Sequence, residues 1–98
     1  MKIEHVVSNN TIEIKPCGDL NYYAADELSE FIRVHAKGIN KMIIDLEEVN
    51  YCSSAGIRTL MEAEIKMEKL GGLILYNVND MIMNVFKITG LDTEFTIK

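Results

Sequence analysis

Two adjacent serines, Ser53 and Ser54, stand where a buried strand and a short loop give way to a helical pattern. The first turn of a helix has unpaired backbone N–H groups and a partial positive charge, which accommodate a hydroxyl or a phosphate. A serine there can cap the helix, or it can be a regulatory residue that gains charge on phosphorylation. From the residues alone, both serines are interpreted as structural, one as the cap and the other packed beside Gly56.

The chain contains no pattern typical of an enzyme. Ser54 does not lie in a Gly-x-Ser-x-Gly elbow, and the sequence has no glycine-rich phosphate-binding loop. His5 and His35 form no metal-like spacing with Cys17 or Cys52. We therefore predict no catalytic residue, metal or cofactor, and we interpret His35 as a partly buried core residue on an apolar helix face.

Composition indicates one acidic domain that spans residues 1–98. Of its 98 residues 48% are hydrophobic, and the net charge of −5 with a pI near 4.9 argues against binding to nucleic acid. No apolar run is long enough to cross a bilayer, and the first residues lack the apolar core of a signal peptide. We therefore expect a cytoplasmic protein without membrane insertion. Cys17 and Cys52 are predicted to be reduced, buried thiols, with a disulfide between them as the alternative.

Hydrophobic periodicity predicts an α/β fold. The order strand-strand-helix-strand-helix-strand-helix-strand indicates a mixed sheet of about five strands packed with three main helices. Pro16 and Gly18 are expected to end the second strand, and Asn21 and Asp80 are predicted caps of the first and third helices. The inner stripe of the second helix is predicted to be Gly56, Leu60, Ala63, Met67 and Leu70. The predicted strands cover residues 3–7, 11–15, 41–46, 73–76 and 95–97. The predicted helices cover 24–37, 54 or 55 to 70, and a shorter segment that follows Asp80 and ends at 89–90.

Three stretches resemble one family in register. The run Tyr51-Cys52-Ser53-Ser54-Ala55-Gly56-Ile57-Arg58 looks like the signature of STAS domains, the bacterial anti-sigma factor antagonists and their relatives. The loop Gly18-Asp19-Leu20-Asn21 resembles the family's Gly-Glu-Leu-Asp loop. The segment Val85-Phe86-Lys87-Ile88-Thr89-Gly90-Leu91 resembles the region around its third helix. The resemblance covers nearly the whole chain and implies a single STAS-like domain.

The resemblance also implies a function in transcription regulation. Such an antagonist binds an anti-sigma factor that is also its serine kinase and thereby frees a sigma factor. The phosphorylated antagonist lets go until a serine phosphatase restores it. By register the phosphorylated residue falls on Ser54, which leaves Ser53 as the cap, and we expect an electrostatic switch at the interface rather than refolding.

Two departures from the family pattern leave an alternative open. Many members have an aspartate where this chain has Ser53, and the Gly-Glu-Leu-Asp loop here ends in Asn21. Some STAS relatives act without phosphorylation as fixed adaptor subunits of larger assemblies, such as lipid-transport ATPases or signalling scaffolds. That role is the alternative function.

The partner surface is predicted to include both Ser53 and Ser54. Ala55, Gly56 and Ile57 surround Ser54 at the exposed start of the helix. Met61 belongs either to the same surface, beside Ile65, or to the packing under the third helix.

Three polar residues are candidates in the neighbouring loops. If the family topology holds, Asp19 and Asn21 lie close to the serine, with turn formation and capping as their alternative roles. Asp45 at the end of its strand either orients the serine loop or faces solvent.

Overall fold

A five-stranded sheet carries three helices, as the sequence predicts. The computed structural model describes all 98 residues. Its strands are β1 (Lys2–Ser8), β2 (Thr11–Cys17), β3 (Lys41–Asp45), β4 (Leu73–Tyr76) and β5 (Thr96–Ile97). Its helices are α1 (Tyr22–His35), α2 (Ser54–Glu68) and α3 (Asp80–Thr89), and a short 3₁₀ turn covers Leu91–Thr93.

The sheet order follows the sequence, β1-β2-β3-β4-β5. β1 pairs with β2 in the antiparallel sense, and the remaining neighbours are parallel. Each strand-helix-strand unit connects a strand to its next neighbour, always toward β5. Because such crossovers are right-handed, all three helices lie on one face of the sheet. The sheet residues buried on that face are apolar: Ile12, Ile14, Met42, Ile44, Leu73 and Leu75.

This topology brings the three helix starts together. The carboxyl ends of parallel strands lie at one edge of a sheet, and α1, α2 and α3 follow β2, β3 and β4 directly. We call this the helix-start edge and define it as residues 18–22, 46–54 and 77–81. Both predicted serines and the Gly18–Asn21 loop lie on it.

β2 is longer than the sequence indicates, because it continues through Pro16 to Cys17. β3 pairs only with Thr11–Ile14 of β2, so the second half of β2 has a neighbour on one side only. A proline is tolerated there because the free side needs no N–H donor.

α2 ends earlier than predicted, and this makes the prediction for Leu70 wrong. The last helical residue is Glu68, Lys69 is the C-cap, and Leu70 is exposed in the turn that follows. The backbone N–H of Gly71 donates to the carbonyl of Asn40, which turns the chain away from the helix axis. The other predicted stripe residues of α2 are buried.

The cap of α3 is Asn79, and the prediction of Asp80 is wrong. Asn79 Oδ1 accepts from the N–H of Ile82 at 2.8 Å. Its amide nitrogen lies 3.2 Å from the carbonyl of Val49 and 3.3 Å from that of Asn50. The amide side chain of Asn79 accepts from its own helix and donates to a neighbouring loop at once, whereas the carboxylate of Asp80 could only accept.

Replacement of this cap tests the assignment. Asn79→Ala should lower the free energy of unfolding by about 1–2 kcal/mol, because it removes the cap and the donor to two loop carbonyls. Asp80→Ala, one residue along, should change it by less than about 0.5 kcal/mol. Urea titration followed by circular dichroism measures both variants. An equal loss for the two would contradict the assignment.

Candidate functional site

The Ser53 hydroxyl is held on both sides. Its oxygen accepts from the N–H of Gly56 at 3.1 Å, and its O–H donates to the carbonyl of Leu20 at 2.9 Å. The backbone N–H of Ser53 also donates to Leu20, at 2.9 Å. The prediction that Ser53 caps α2 is therefore confirmed.

Ser54 is placed differently from its neighbour. It is the first residue of α2 and is exposed to solvent, and its hydroxyl takes no part in the network around Ser53. The two serines thus divide into one side chain committed to the fold and one available to solvent.

The loop before α1 lies against the loop before α2. Leu20 is buried, and its N–H donates to the carbonyl of Tyr51 at 2.8 Å, while the N–H of Gly18 donates to Glu48 at 3.0 Å. Asn21 Oδ1 accepts from the N–H of Ala24 at 2.9 Å, which confirms the predicted cap. Asp19 and Asn21 are exposed and lie close in the chain to Leu20, on the helix-start edge.

Gly56 is required by the contact between these loops. A Cβ atom there would lie 2.8 Å from Cys52 Sγ, 2.8 Å from Leu20 Cγ and 2.9 Å from the carbonyl oxygen of Leu20. Gly56 is buried, so a partner can approach it only over its half-buried neighbours Ala55 and Ile57.

Met61 combines the two roles considered for it. It is half-buried and packs against the core, whereas Ile65, one turn further along α2, is exposed. Met61 therefore presents part of its side chain at the surface, on the same helix as Ser54.

A buried hydroxyl joins α1 to α2. Thr59 Oγ1 lies 3.2 Å from the carbonyl of Ala25 in α1 and 3.2 Å from that of Ala55 in its own helix. Because Thr59 is polar, the hydrophobic pattern provided no signal for its burial. The link fixes the two helices against each other one turn from their starts.

Asp45 has a structural role away from the serines. Its Oδ1 accepts from the N–H of Glu47 at 3.0 Å and from the side-chain amide of Asn77 at 2.9 Å. It therefore orders the exits of β3 and β4 rather than the serine loop, and it is not a merely solvent-facing carboxylate.

The cysteines are free, but they are less buried than the sequence indicates. Cys17 and Cys52 are both only partly buried, because each lies where a strand or bridge meets a loop. Burial raises the pKa of Cys52 to about 12, so the thiol stays protonated at neutral pH. The pKa of Cys17 is also raised, first by burial and then by the carboxylate of Glu4.

The two histidines meet although they are far apart in sequence. The ring centroids of His5 and His35 are 4.8 Å apart, and Phe31 stacks on His35 with centroids 3.9 Å apart. His35 is half-buried, as predicted, and its Nδ1 lies 2.9 Å from the carbonyl of Phe31. The structure contains no cluster of three His, Cys, Asp or Glu side chains able to hold a metal ion.

The sequence interpretation missed three tyrosines at this edge. Tyr22 and Tyr23 open α1, Tyr51 precedes Ser53, and all three are exposed. The available signal was their position beside Asn21 and Ser53, since the first residues of a helix tend to face solvent.

The two serines give a direct stability test. Ser53→Ala should lower the free energy of unfolding by about 1–2 kcal/mol, because the cap and the hydroxyl bond to Leu20 are both lost. Ser54→Ala, the matched control, should change it by less than about 0.5 kcal/mol. Chemical denaturation of the purified variants checks this, and a larger loss for Ser54→Ala would reverse the roles of the two serines.

The ionised carboxylate of Glu64 in α2 lies in an unfavourable environment. Its Oε1 is buried without a hydrogen-bond partner, and its pKa is raised, first by burial and then by the negative charges of Glu68 and Glu94. The folded state therefore binds a proton at Glu64 more tightly than the unfolded chain does. In the range just above pH 4.5, the usual value for this group, the destabilising contribution of Glu64 should shrink as the pH falls.

Removal of this charge should stabilise the domain at neutral pH. Glu64→Gln should raise the midpoint of urea unfolding at pH 7, and the advantage should shrink as the pH approaches 4.5. Glu62→Gln makes the same charge change at an exposed position of α2 and is the control. Equal effects of both substitutions at all pH values would contradict the cause given for Glu64.

No helix is both long and apolar enough to span a membrane.

The family model of the STAS domain matches residues 2–98. The anti-sigma-B factor antagonist of Listeria monocytogenes is 31% identical over 90 residues, which cover 89% of this chain and 78% of the relative.

Solved structures give the same fold. An anti-sigma factor antagonist from Mycobacterium paratuberculosis matches with a TM-score of 0.86 and 22% identity, covering 98% of this chain and 83% of that one. The antagonist SpoIIAA in its unphosphorylated form matches with a TM-score of 0.76 and 18% identity, covering 99% and 87%. The phosphorylated form of the Bacillus SpoIIAA also gives 0.76, with 20% identity, covering 99% and 91%. The chain therefore belongs to the STAS domain family, among the anti-sigma factor antagonists.

Proposed function

We propose that this protein is a cytoplasmic anti-sigma factor antagonist whose binding is switched off by phosphorylation of Ser54. Unmodified, it binds an anti-sigma factor that is also its serine kinase, and so releases a sigma factor. A serine phosphatase reverses the modification. The observation that carries the proposal is the exposed hydroxyl of Ser54 at the first position of α2, beside a serine already committed to capping.

The helix start suits the modified serine. Gly56 donates to Ser53, which leaves the N–H groups of Ser54 and Ala55 as the first-turn donors without an intrahelical partner. A phosphate adds about 1.5 to 2 negative charges, which these donors and the helix dipole favour. The modified residue thus stays compatible with the fold.

The cost of phosphorylation falls on the interface instead. A partner seated over Ser54 would have to strip water from a doubly charged group, and removal of a charge from water is expensive unless it is paired. Binding should therefore weaken while the domain keeps its structure. The equal TM-scores of this chain with SpoIIAA in its two phosphorylation states support a switch of this kind, since both states have one fold.

The shape of the surface supports a protein partner over a small substrate. The concave parts of the molecule are lined by residues elsewhere, between α1 and α2, beside β1, and on the uncovered face of the sheet. Ser54 lies in none of them. A serine outside any pocket suits docking of another protein and phosphorylation by it.

A comparison of baits from the native host's lysate tests the proposal. Ser54→Ala should capture a kinase-like anti-sigma factor, and Ser54→Asp should capture at least about tenfold less, because like or unpaired charge at an interface costs one or more kcal/mol. Ser8→Asp places the same charge on an exposed serine of β1, at the opposite edge of the sheet, and should bind as the unmodified protein does.

The outcome also separates the alternative function. Equal capture of the same partners by all baits, with a transport ATPase among them and no phosphate on native Ser54, would favour a fixed adaptor subunit. Because aspartate mimics phosphoserine incompletely, the kinase-treated protein should be tested beside it. Undiminished binding by protein phosphorylated at Ser54 would overturn the proposal.

A further inference from the structure

Three exposed tyrosines lie at or next to the helix-start edge, Tyr22 and Tyr23 in the first turn of α1 and Tyr51 in the loop before α2. Tyr22 is 66% exposed, Tyr23 is 77% exposed and Tyr51 is 49% exposed. We call them the tyrosine patch. The rings of Tyr22 and Tyr23 form an edge-to-face pair with centroids 5.8 Å apart. None of the three belongs to the hydrophobic core, so the packing of this domain does not explain them.

The tyrosine patch borders Ser54. The backbone carbonyl of Tyr51 accepts from the N–H of Leu20 at 2.8 Å, and the carbonyl of Leu20 accepts from the N–H of Ser53. The two loops that carry the patch are therefore joined by backbone hydrogen bonds. Tyr22 and Ser54 are the first residues of α1 and α2. Helices packed side by side have axes roughly 8–10 Å apart, which puts these two positions within one protein footprint.

The same surface continues to α3. The side-chain amide of Asn79 bonds the carbonyls of Val49 and Asn50, so the start of α3 abuts the loop that carries Tyr51. Met81, in the first turn of α3, is 62% exposed. An exposed apolar side chain therefore lies in the first turn of the helix that abuts the loop carrying Tyr51.

These residue types are suited to binding another protein. Tyrosine supplies a large contact area with few rotatable bonds, and tyrosines are enriched among the side chains that dominate binding energy at interfaces. Ser54 by contrast is small, and its unmodified hydroxyl contributes little contact area. Affinity and its regulation therefore require different residues at one surface.

We propose that the tyrosine patch, with Met81, is the surface that supplies the affinity for the anti-sigma factor, while Ser54 only controls whether that surface can be covered. This inference rests on the proposed function for the identity of the partner. It assigns the docking energy to Tyr22 and Tyr23 on α1, to Tyr51 at the start of the serine signature and to Met81 on α3.

Site-specific photocrosslinking in the native host tests the location of the surface and identifies the partner in the same experiment. The photoreactive residue p-benzoyl-phenylalanine replaces Tyr23 in one strain and Val34 in another. Val34 is the control because it is an exposed apolar residue of the same helix, near its other end. Mass spectrometry of the crosslinked product identifies what covers each position. We expect Tyr23 to crosslink to an anti-sigma factor and Val34 to give no such product.

Each other outcome has a distinct meaning. If a third strain with the photoreactive residue at Met61 crosslinks to an anti-sigma factor and Tyr23 does not, the tyrosine patch is wrong and the proposed function stands. If Tyr23 crosslinks only to another protein, such as a transport ATPase, the proposed function is wrong. The assignment of an anti-sigma factor as the partner of the tyrosine patch is then wrong as well. No crosslink from any position overturns the docking surface.

The energetic part of the inference is measured with the captured anti-sigma factor. Replacement of Tyr22, Tyr23 and Tyr51 together by Ala should weaken its binding by at least about tenfold, as loss of interface anchors does. The double variant Val34→Ala and Ile88→Ala removes exposed apolar side chains far from the patch and should bind unchanged. Circular dichroism checks that both variants fold. Unchanged affinity of the folded triple variant would overturn the proposal.

Discussion

The hydrogen-bonded clamp between two loops is the interaction on which the rest of the site depends. Leu20 accepts from both the backbone N–H and the hydroxyl of Ser53, which is 33 residues away in sequence, and it donates to Tyr51. Each loop leads directly into a helix, so one clamp fixes the starts of α1 and α2 together. The close approach at Gly56 is its steric counterpart, because any side chain there would push the two loops apart.

Much of this arrangement could be predicted from the sequence, because local signals and tertiary demands agree. The run from Lys41 to Leu46 is apolar and short, as a central parallel strand must be. Asn21 and Ser53 precede helical periodicity directly, and both are caps in the structure. For Asn21 the capping rules were sufficient, whereas the choice of Ser53 over Ser54 as the cap depended on the register of the family resemblance.

The sequence interpretation failed where a neighbouring segment decides between two locally equivalent choices. Asn79 and Asp80 are both good caps, and the choice depends on the carbonyls of the loop near Val49, which the amide of Asn79 can bind and the carboxylate of Asp80 cannot. Leu70 continues the apolar stripe of α2, but the turn that contacts Asn40 ends the helix before it. That Tyr22 and Tyr51 belong to loops that are joined depends on which helices begin at the same edge, and that follows from strand order rather than from local pattern.

The division of roles between the adjacent serines makes the proposed modification of Ser54 compatible with a helix cap at Ser53. If one hydroxyl served both purposes, phosphorylation would compete with the bond to the N–H of Gly56. Two serines avoid this conflict. Ser53 also does something that the aspartate common in the family cannot do. A carboxylate only accepts, whereas the hydroxyl of Ser53 accepts from Gly56 and donates to Leu20 at once. The departure from the family pattern therefore adds one hydrogen bond to the clamp, and it places no negative charge beside Ser54.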